Sequence, residues 1–339
     1  MPKATLKKRK QNREKENILW FSDIMIEDIP LVGGKNASLG EMYSKLTSKG
    51  VVVPNGFAVT AKAYWDFLDA GGLKKKMKKI VKDLDVEDIR SLKQTGKALR
   101  DLLMKEPIPK QIEDDIRKAY KELSKKTKKK NIDVAVRSSA TAEDLPDASF
   151  AGQQETFLNI SGEADLLKAV RKCFASLFND RAISYREQRG FDHISVALSV
   201  TVQQMVKADT GSSGVMFTMD TESGFRGVTL VTGSYGLGEY VVQGKVVPDQ
   251  FYVFKDGLRR GKKAIISRTL GSKQVKLVYG ATKGVKQARV SQRDKNRFCV
   301  TDDDVIQLAK WGDIIEGHYN KPQDIEWAIE KGEIYIVQA

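Results

Sequence analysis

Apolar residues recur along this chain at two spacings, one suited to helices and one to strands. Ile18 to Phe21 reads as a short strand, followed by a loop through Pro30. Beyond Gly33 and Gly34, the positions Leu39, Met42, Tyr43 and Leu46 repeat at helical spacing. Val51 to Thr60 reads as a strand interrupted by Pro54, Asn55 and Gly56. The pattern from Ala61 to about Leu123 is helical, with Pro107 and Pro109 separating two amphipathic stretches. Ile112, Ile116, Tyr120 and Leu123 mark the second. Ile132 to Val136 is an apolar, β-rich run expected to end abruptly at Arg137.

Leu166, Val170, Cys173 and Leu177 then share one face of a long helix. From Ile194 to Val202 apolar and other residues alternate strictly, which predicts a half-buried strand. Further strands are expected at Gly214–Thr218, Val228–Val231, Gln250–Phe254 and Ala264–Arg268. A helix is expected to start near Thr301, an N-cap residue backed by Asp302 to Asp304 at the positive end of the helix dipole. The chain ends in a predicted hairpin, Asp324–Ile329 and Ile334–Gln338, around Lys331-Gly332. Helices dominate the first half and strands the second, with no internal repeat, so the expected class is α+β.

Composition narrows the options. At 339 residues the chain is long enough for two domains or lobes. No apolar run approaches the ~20 residues needed to span a bilayer. The N-terminus lacks the apolar stretch of a secretory signal, so the expected location is the cytoplasm, with no membrane partner. The formal net charge of +14 raises the question of nucleic acid, but the excess is concentrated. Residues 1–16 carry seven Lys/Arg against two Glu, and Lys74–Lys82 and Lys125–Lys130 supply further runs. None interleaves aromatics with basic residues as a single-strand stacking surface does, so no nucleic-acid partner is expected. Residues 1–17 read as a basic disordered tail. Cys173 and Cys299 form no CxxC pair and read as buried thiols.

Five constellations carry candidate chemistry. In Gly33-Gly34-Lys35-Asn36-Ala37-Ser38-Leu39-Gly40-Glu41, glycines permit close backbone approach and a helix start favours an anion, with Lys35 able to add a charge to a phosphate. The same residues also describe a glycine turn beside a surface lysine, and the Walker A spacing is absent. In the second, a strand delivers Arg137 into Ser138, Ser139, Ala140 and Thr141, followed by an acidic loop closing at Phe150-Ala151-Gly152-Gln153. Arginine's planar fork suits phosphate oxygens, and hydroxyls with backbone amides can wrap the rest of a polyphosphate. The third is Gln204-Met205-Val206, where a strand turning into a loop can offer backbone groups to a flat base; a methionine there equally fills core. The fourth, Gly236-Leu237-Gly238-Glu239, holds a carboxylate on a glycine turn without dinucleotide-motif spacing. The fifth is the terminal hairpin. Asp324 and Glu326, two apart in a strand, share a face, and a turn centred on Gly332 sets Gln338 opposite Glu326. Such an all-oxygen set suits Mg²⁺ carrying phosphates, although an edge hairpin with a polar outer face would look alike.

Taken together and in this order, these motifs resemble the N-terminal nucleotide-binding domain of phosphoenolpyruvate synthases. The resemblance covers nearly everything after residue 18, through Gly33–Met42, Val136–Asn159, Cys173–Gly190, Gly236–Asp249 and Asp324–Ala339. It implies an ATP-grasp-like fold with the nucleotide held between two α+β lobes, residues 18–200 and 201–339. It implies that Lys35 and Arg137 hold phosphates and that Ser138–Gln153, including Ser139, Thr141, Gly152 and Gln153, forms a phosphate-covering loop. Gln204, Met205 and Val206 would line the adenine pocket. Glu239 and Asp324 would sit around Mg²⁺ and phosphate, with Glu326 and Gln338 the direct metal ligands. The family converts ATP, pyruvate and water into phosphoenolpyruvate, AMP and phosphate through a histidine on a separate swivelling domain. The two histidines here, His193 and His318, lie outside that phosphohistidine motif, and the expectation is a fragment without the swivelling and pyruvate-binding domains. The nucleotide domain of a related antibiotic phosphotransferase and a stand-alone ATP-binding module are the alternatives.

Overall fold

The computed structural model describes residues 13–141, 144–145, 148–149, 155–280 and 284–339. The backbone forms two units of mixed helix and antiparallel sheet, an α+β architecture. The first comprises the described residues up to Gly40 and of Asn55–Met205; the second comprises Glu41–Pro54 with Val206–Ala339.

In the first unit a five-stranded sheet runs β1 (Ile18–Trp20), β2 (Gly56–Val59), β7 (Leu198–Gln204), β3 (Val134–Ala140) and β6 (Thr156–Ile160). A two-stranded ribbon, β4 (Asp144–Leu145) with β5 (Ala148–Ser149), lies between β3 and β6 in sequence. Its helices are α1 (Ile29–Lys45, whose last turns belong to the second unit), α2 (Ala61–Ala70), α3 (Leu73–Val81), α4 (Ile89–Lys105), α5 (Lys110–Lys126), α6 (Glu163–Ser176) and α7 (Asp180–Gln188). The helix predicted from Ile112, Ile116, Tyr120 and Leu123 is α5, and all four side chains are buried. It starts directly after Pro109, whose fixed φ suits a helix entry. The rings of Tyr64 and Phe67 pack on Phe174 of α6, with centroids 5.3 and 5.5 Å away. Burying each large side chain of this kind contributes about 1.5–3 kcal/mol. The near end of the basic segment is anchored: Arg13 pairs with Asp28, and the buried Asn17 donates to Asp115 at 2.9 Å.

Strands β3 and β7 differ from their sequence reading, and of Val51–Thr60 only Gly56–Val59 forms a strand. The run from Ile132 does not end at Arg137; β3 continues through Ser138 and Ser139 to Ala140, paired with β7 along its whole length. Short hydroxylic side chains fit a ladder with neighbours on both sides as well as a loop, so composition alone misplaces the strand end. The alternating run from Ile194 becomes a strand only at Leu198, and it is buried on both faces. Lying between β2 and β3, it has no solvent side, and Ser199, Thr201 and Gln203 are inside the protein.

In the second unit a six-stranded sheet runs β11 (Ile265–Thr269), β10 (Asp249–Phe254), β9 (Val228–Tyr235), β8 (Ser212–Phe217), β14 (Asp324–Glu330) and β15 (Glu333–Gln338). Helix α11 (Asp302–Tyr319) packs on it behind a capping box, in which Thr301 Oγ1 accepts from the Asp304 amide and the Asp304 carboxylate accepts from the Thr301 amide at 2.9 Å. Short helices α8 (Glu239–Val242), α9 (Lys255–Arg259) and α10 (Gln292–Lys295) join the strands. A hairpin absent from the sequence reading, β12 (Val275–Tyr279) with β13 (Val285–Arg289), interleaves lysines with its apolar positions, which weakens the strand signal. Asp249 is buried. It accepts from Lys273 Nζ, the Gly271 amide (2.8 Å) and the Cys299 amide (2.8 Å), tying β10 to the chain before β12 and the loop before α11.

Candidate functional site

In the first unit the candidate phosphate residues converge where α1 meets the end of β3. Helix α1 is broken at Gly33, with φ 74° and ψ 165°. A Cβ there would lie 2.3 Å from Ser139 Oγ and 2.5 Å from the Ser139 carbonyl oxygen, so only glycine permits this approach. Lys35 follows two residues after the break, and Arg137 precedes Ser139 by two on the strand, so Arg137 and Ser139 share a sheet face. Arg137 is half-buried and is paired with Thr201 of β7 and Thr156 of β6. Ser138 points to the opposite face, where its Oγ accepts from the Glu155 amide at 3.2 Å. Ser138 and Ser139 are therefore buried strand residues; Thr141, just after the strand, bonds the Ala197 carbonyl through both its amide and its hydroxyl. Gly152 and Gln153 lie outside the described residues.

Gln204 ends β7, and Met205 and Val206 are buried. The Gln204 amide is bonded to the Asn55 carbonyl at 2.8 Å and the Met205 amide to the Asp133 carbonyl at 2.9 Å. The Val206 carbonyl accepts from Ala208 at 3.0 Å. Of the backbone groups expected to read a base, these three are already engaged within the protein.

In the second unit the terminal hairpin turns through Lys331 and Gly332, both with positive φ (54° and 84°). Glu330 pairs with Glu333, and that register continues to Trp327 opposite Ile336. Unbroken, it would set Val337 opposite Glu326. An irregularity between Glu326 and Trp327 shifts the pairing by one, and Gln338 takes that place. Bulges of this kind re-aim a side chain. The reverse face carries the buried Ile325, Trp327 and Ile329. The turn before Glu239 lies on the carboxylate face. Ser213, opposite Ala328 of β14, donates from Oγ to the Gly236 carbonyl, and Ala328 is two residues from Glu326. Gly236, at φ 85°, passes so close to β12 that a Cβ would lie 2.5 Å from the Leu277 carbonyl oxygen; that carbonyl accepts from the Leu237 amide at 2.9 Å. Glu239 opens α8 and accepts from Gln243 Nε2 at 2.7 Å. The structure thus puts Asp324, Glu326 and Gln338 on one sheet face, with the turn that leads into Glu239 packed against it. Among the described residues no three His, Cys, Asp or Glu side chains form a metal-holding group by themselves.

A family model described as pyruvate phosphate dikinase, AMP/ATP-binding domain, matches residues 29–339. The chain belongs to this family. The chain is similar to the phosphoenolpyruvate synthases of Aquifex aeolicus (50% identical over 337 residues, 97% of this chain and 39% of that protein) and Neisseria meningitidis (52% over 328 residues, 95% and 41%). It is also similar to that of Escherichia coli (50% over 328 residues, 95% and 41%). It spans about two fifths of the length of these relatives. Other features of this dikinase-family domain narrow its chemistry. Cys173 and Cys299 are buried, and burial foremost pushes both thiols well up, so neither supplies a thiolate. Among the described residues no helix is long and apolar enough to cross a membrane.

Sequence reasoning passed over two residues at the Gly33 break, Asn36 and Ser199. Asn36 lies inside the first motif, but its side chain bonds Ser199, 163 residues away, and no sequence spacing records that contact.

Proposed function

We propose that this chain is the Mg-ATP-binding domain of a phosphoenolpyruvate synthase, which passes a phosphoryl group from ATP to a histidine of a swivelling domain outside these 339 residues, in the conversion of ATP, pyruvate and water to phosphoenolpyruvate, AMP and phosphate. An ATP-grasp-like fold and a cytoplasmic setting belong to the same reading. The family match over residues 29–339 supports the nucleotide. The observation that carries the metal is the bulged pairing that puts Gln338 opposite Glu326 on the face shared with Asp324.

In this reading Lys35 and Arg137 hold the phosphates, and Arg137's fork fixes the orientation of the transferred group. Ser139 supports the turn carrying Lys35, and Ser138, Thr141, Gly152 and Gln153 belong to the segment around the phosphates. Gln204, Met205 and Val206 border the base; the engaged amides leave shape and the remaining groups to select it. The donor set fits a hard cation, because Glu326 and Gln338 contribute oxygens from facing strands and nucleotide oxygens complete the shell. Mg²⁺ bound there would withdraw charge from the phosphate oxygens. Glu239 and Asp324 flank that position and orient it.

Calorimetry of ATP binding with Mg²⁺ and with EDTA tests this reading. The expected outcome is clearly tighter binding with Mg²⁺, a gain that Glu326→Ala largely removes. Equal affinity under both conditions would rule out a metal on this hairpin.

A further inference from the structure

The break at Gly33 leaves a vacancy in the hydrogen-bond ladder of α1. In an unbroken helix the Val32 carbonyl accepts from the amide four residues on, that of Asn36. Here the Asn36 amide turns instead to Ser139 Oγ, at 3.4 Å. The Asn36 side chain fills the lost position, its Nδ2 donating to the Val32 carbonyl at 3.0 Å. The same Nδ2 donates to Ser199 Oγ at 3.0 Å, and Ser199 Oγ passes its own proton to the Val59 carbonyl at 2.7 Å. Asn36, Ser139 and Ser199 are fully buried. One side chain therefore spans the break, binding the turn before it to β7 and, through Ser199, to β2. Lys35 is the residue held between the two ends.

We infer that Asn36 is a positioning residue for the phosphate turn: by replacing the helix bond lost at Gly33 it fixes the direction in which Lys35 presents its ammonium group to a nucleoside triphosphate. The inference rests on the assignment of Lys35 to phosphate. Three features separate this role from general packing. The donor count is matched, since Nδ2 has two protons and two acceptors here. The bond to Val32 is local to the turn, so its loss loosens the turn before it loosens the sheet. Asn36 Oδ1 is buried without a partner among the described residues, so the side chain holds the turn through Nδ2 alone.

A double-mutant cycle reads the role directly, with the full chain titrated with Mg-ATP and, separately, with adenosine. Asn36→Ala is expected to weaken Mg-ATP roughly tenfold, the range of one charge-assisted contact, and to leave adenosine unchanged. In a Lys35→Ala background it should add little, because the group it aims is gone. Additive losses, or equal losses for ATP and adenosine, overturn the positioning role while leaving the Lys35 assignment standing. If Lys35→Ala alone leaves ATP affinity intact, the phosphate assignment falls and this inference with it. Should Asn36→Ala not fold, Ser199→Ala serves instead. It keeps the Val32 bond, removes the anchor to β7, and is expected to give a smaller loss that is again ATP-selective and again absent without Lys35; no coupling in that pair overturns the inference equally.

Discussion

At Gly33 a single added methyl group meets Ser139 from two sides, at 2.3 Å from Oγ and 2.5 Å from the carbonyl oxygen. The backbone there also sits at φ 74°, ψ 165°, a region nearly closed to residues with a Cβ. Strain and overlap together predict that Gly33→Ala costs roughly 2–6 kcal/mol, read as a lowered denaturant midpoint; an unchanged midpoint would contradict the close approach. His193 makes a second residue-scale prediction. The buried Arg186 donates from Nε to His193 Nδ1 at 3.4 Å, and an arginine offers only donors, so Nδ1 carries the lone pair and Nε2–H faces Glu187 at 3.0 Å. Burial first, then the Arg186 guanidinium, holds the imidazole below its usual range, against the pull of Glu187 and Asp192. A histidine depressed on folding contributes stability above its unfolded pKa, about 6.5, and loses it as the pH falls through and below that value. Stability should therefore decline on acidification. His193→Gln, which keeps one acceptor and one donor, should flatten that decline; identical slopes for both proteins would remove His193 as its cause.

Hairpin β14–β15 concentrates the element-scale argument. Lys331 adopts a left-handed conformation at the first position of a two-residue turn whose second position is Gly332. Asparagine tolerates that conformation better than lysine, so Lys331→Asn is expected to stabilise the protein by about 0.5–1 kcal/mol, seen as a raised melting temperature. It should leave the Mg²⁺-dependent gain in ATP affinity untouched, because the turn length and the bulge that sets Gln338 opposite Glu326 do not change. A loss of that gain would mean the turn, rather than the bulge, fixes the pairing. At α11, Thr301→Ala removes the acceptor for the Asp304 amide and is expected to cost about 1 kcal/mol.

For the whole molecule the expectation concerns what the 339 residues do by themselves. Both histidines are engaged in the structure, His193 with Arg186 and Glu187, and His318 with Glu41 at 2.9 Å. In the proposed reading the acceptor histidine lies on a domain outside these residues, and phosphoryl transfer depends on bringing donor, metal and acceptor into line. Purified chain given Mg-ATP and pyruvate is expected to bind nucleotide without forming phosphoenolpyruvate. Sustained production of phosphoenolpyruvate and AMP by these residues alone would refute the separation of nucleotide domain and acceptor.

The sequence by itself determined the α+β class, the terminal hairpin, the N-cap of α11, the apolar face of α5 and the motifs that carry the family. Each depends on residues close along the chain, where periodicity, capping chemistry and turn preference act directly. It did not determine where β3 ends or that β7 is buried on both sides, because both follow from neighbouring strands distant in sequence. Nor could it assign Glu41–Pro54 to the second unit, or find the Asn36–Ser199 bond, since long-range contacts are settled only when the strands pair. The pairing of Glu326 with Gln338 belongs to both. Spacing put the two within one register step of each other, and a bulge that only the folded sheet reveals supplied the last step.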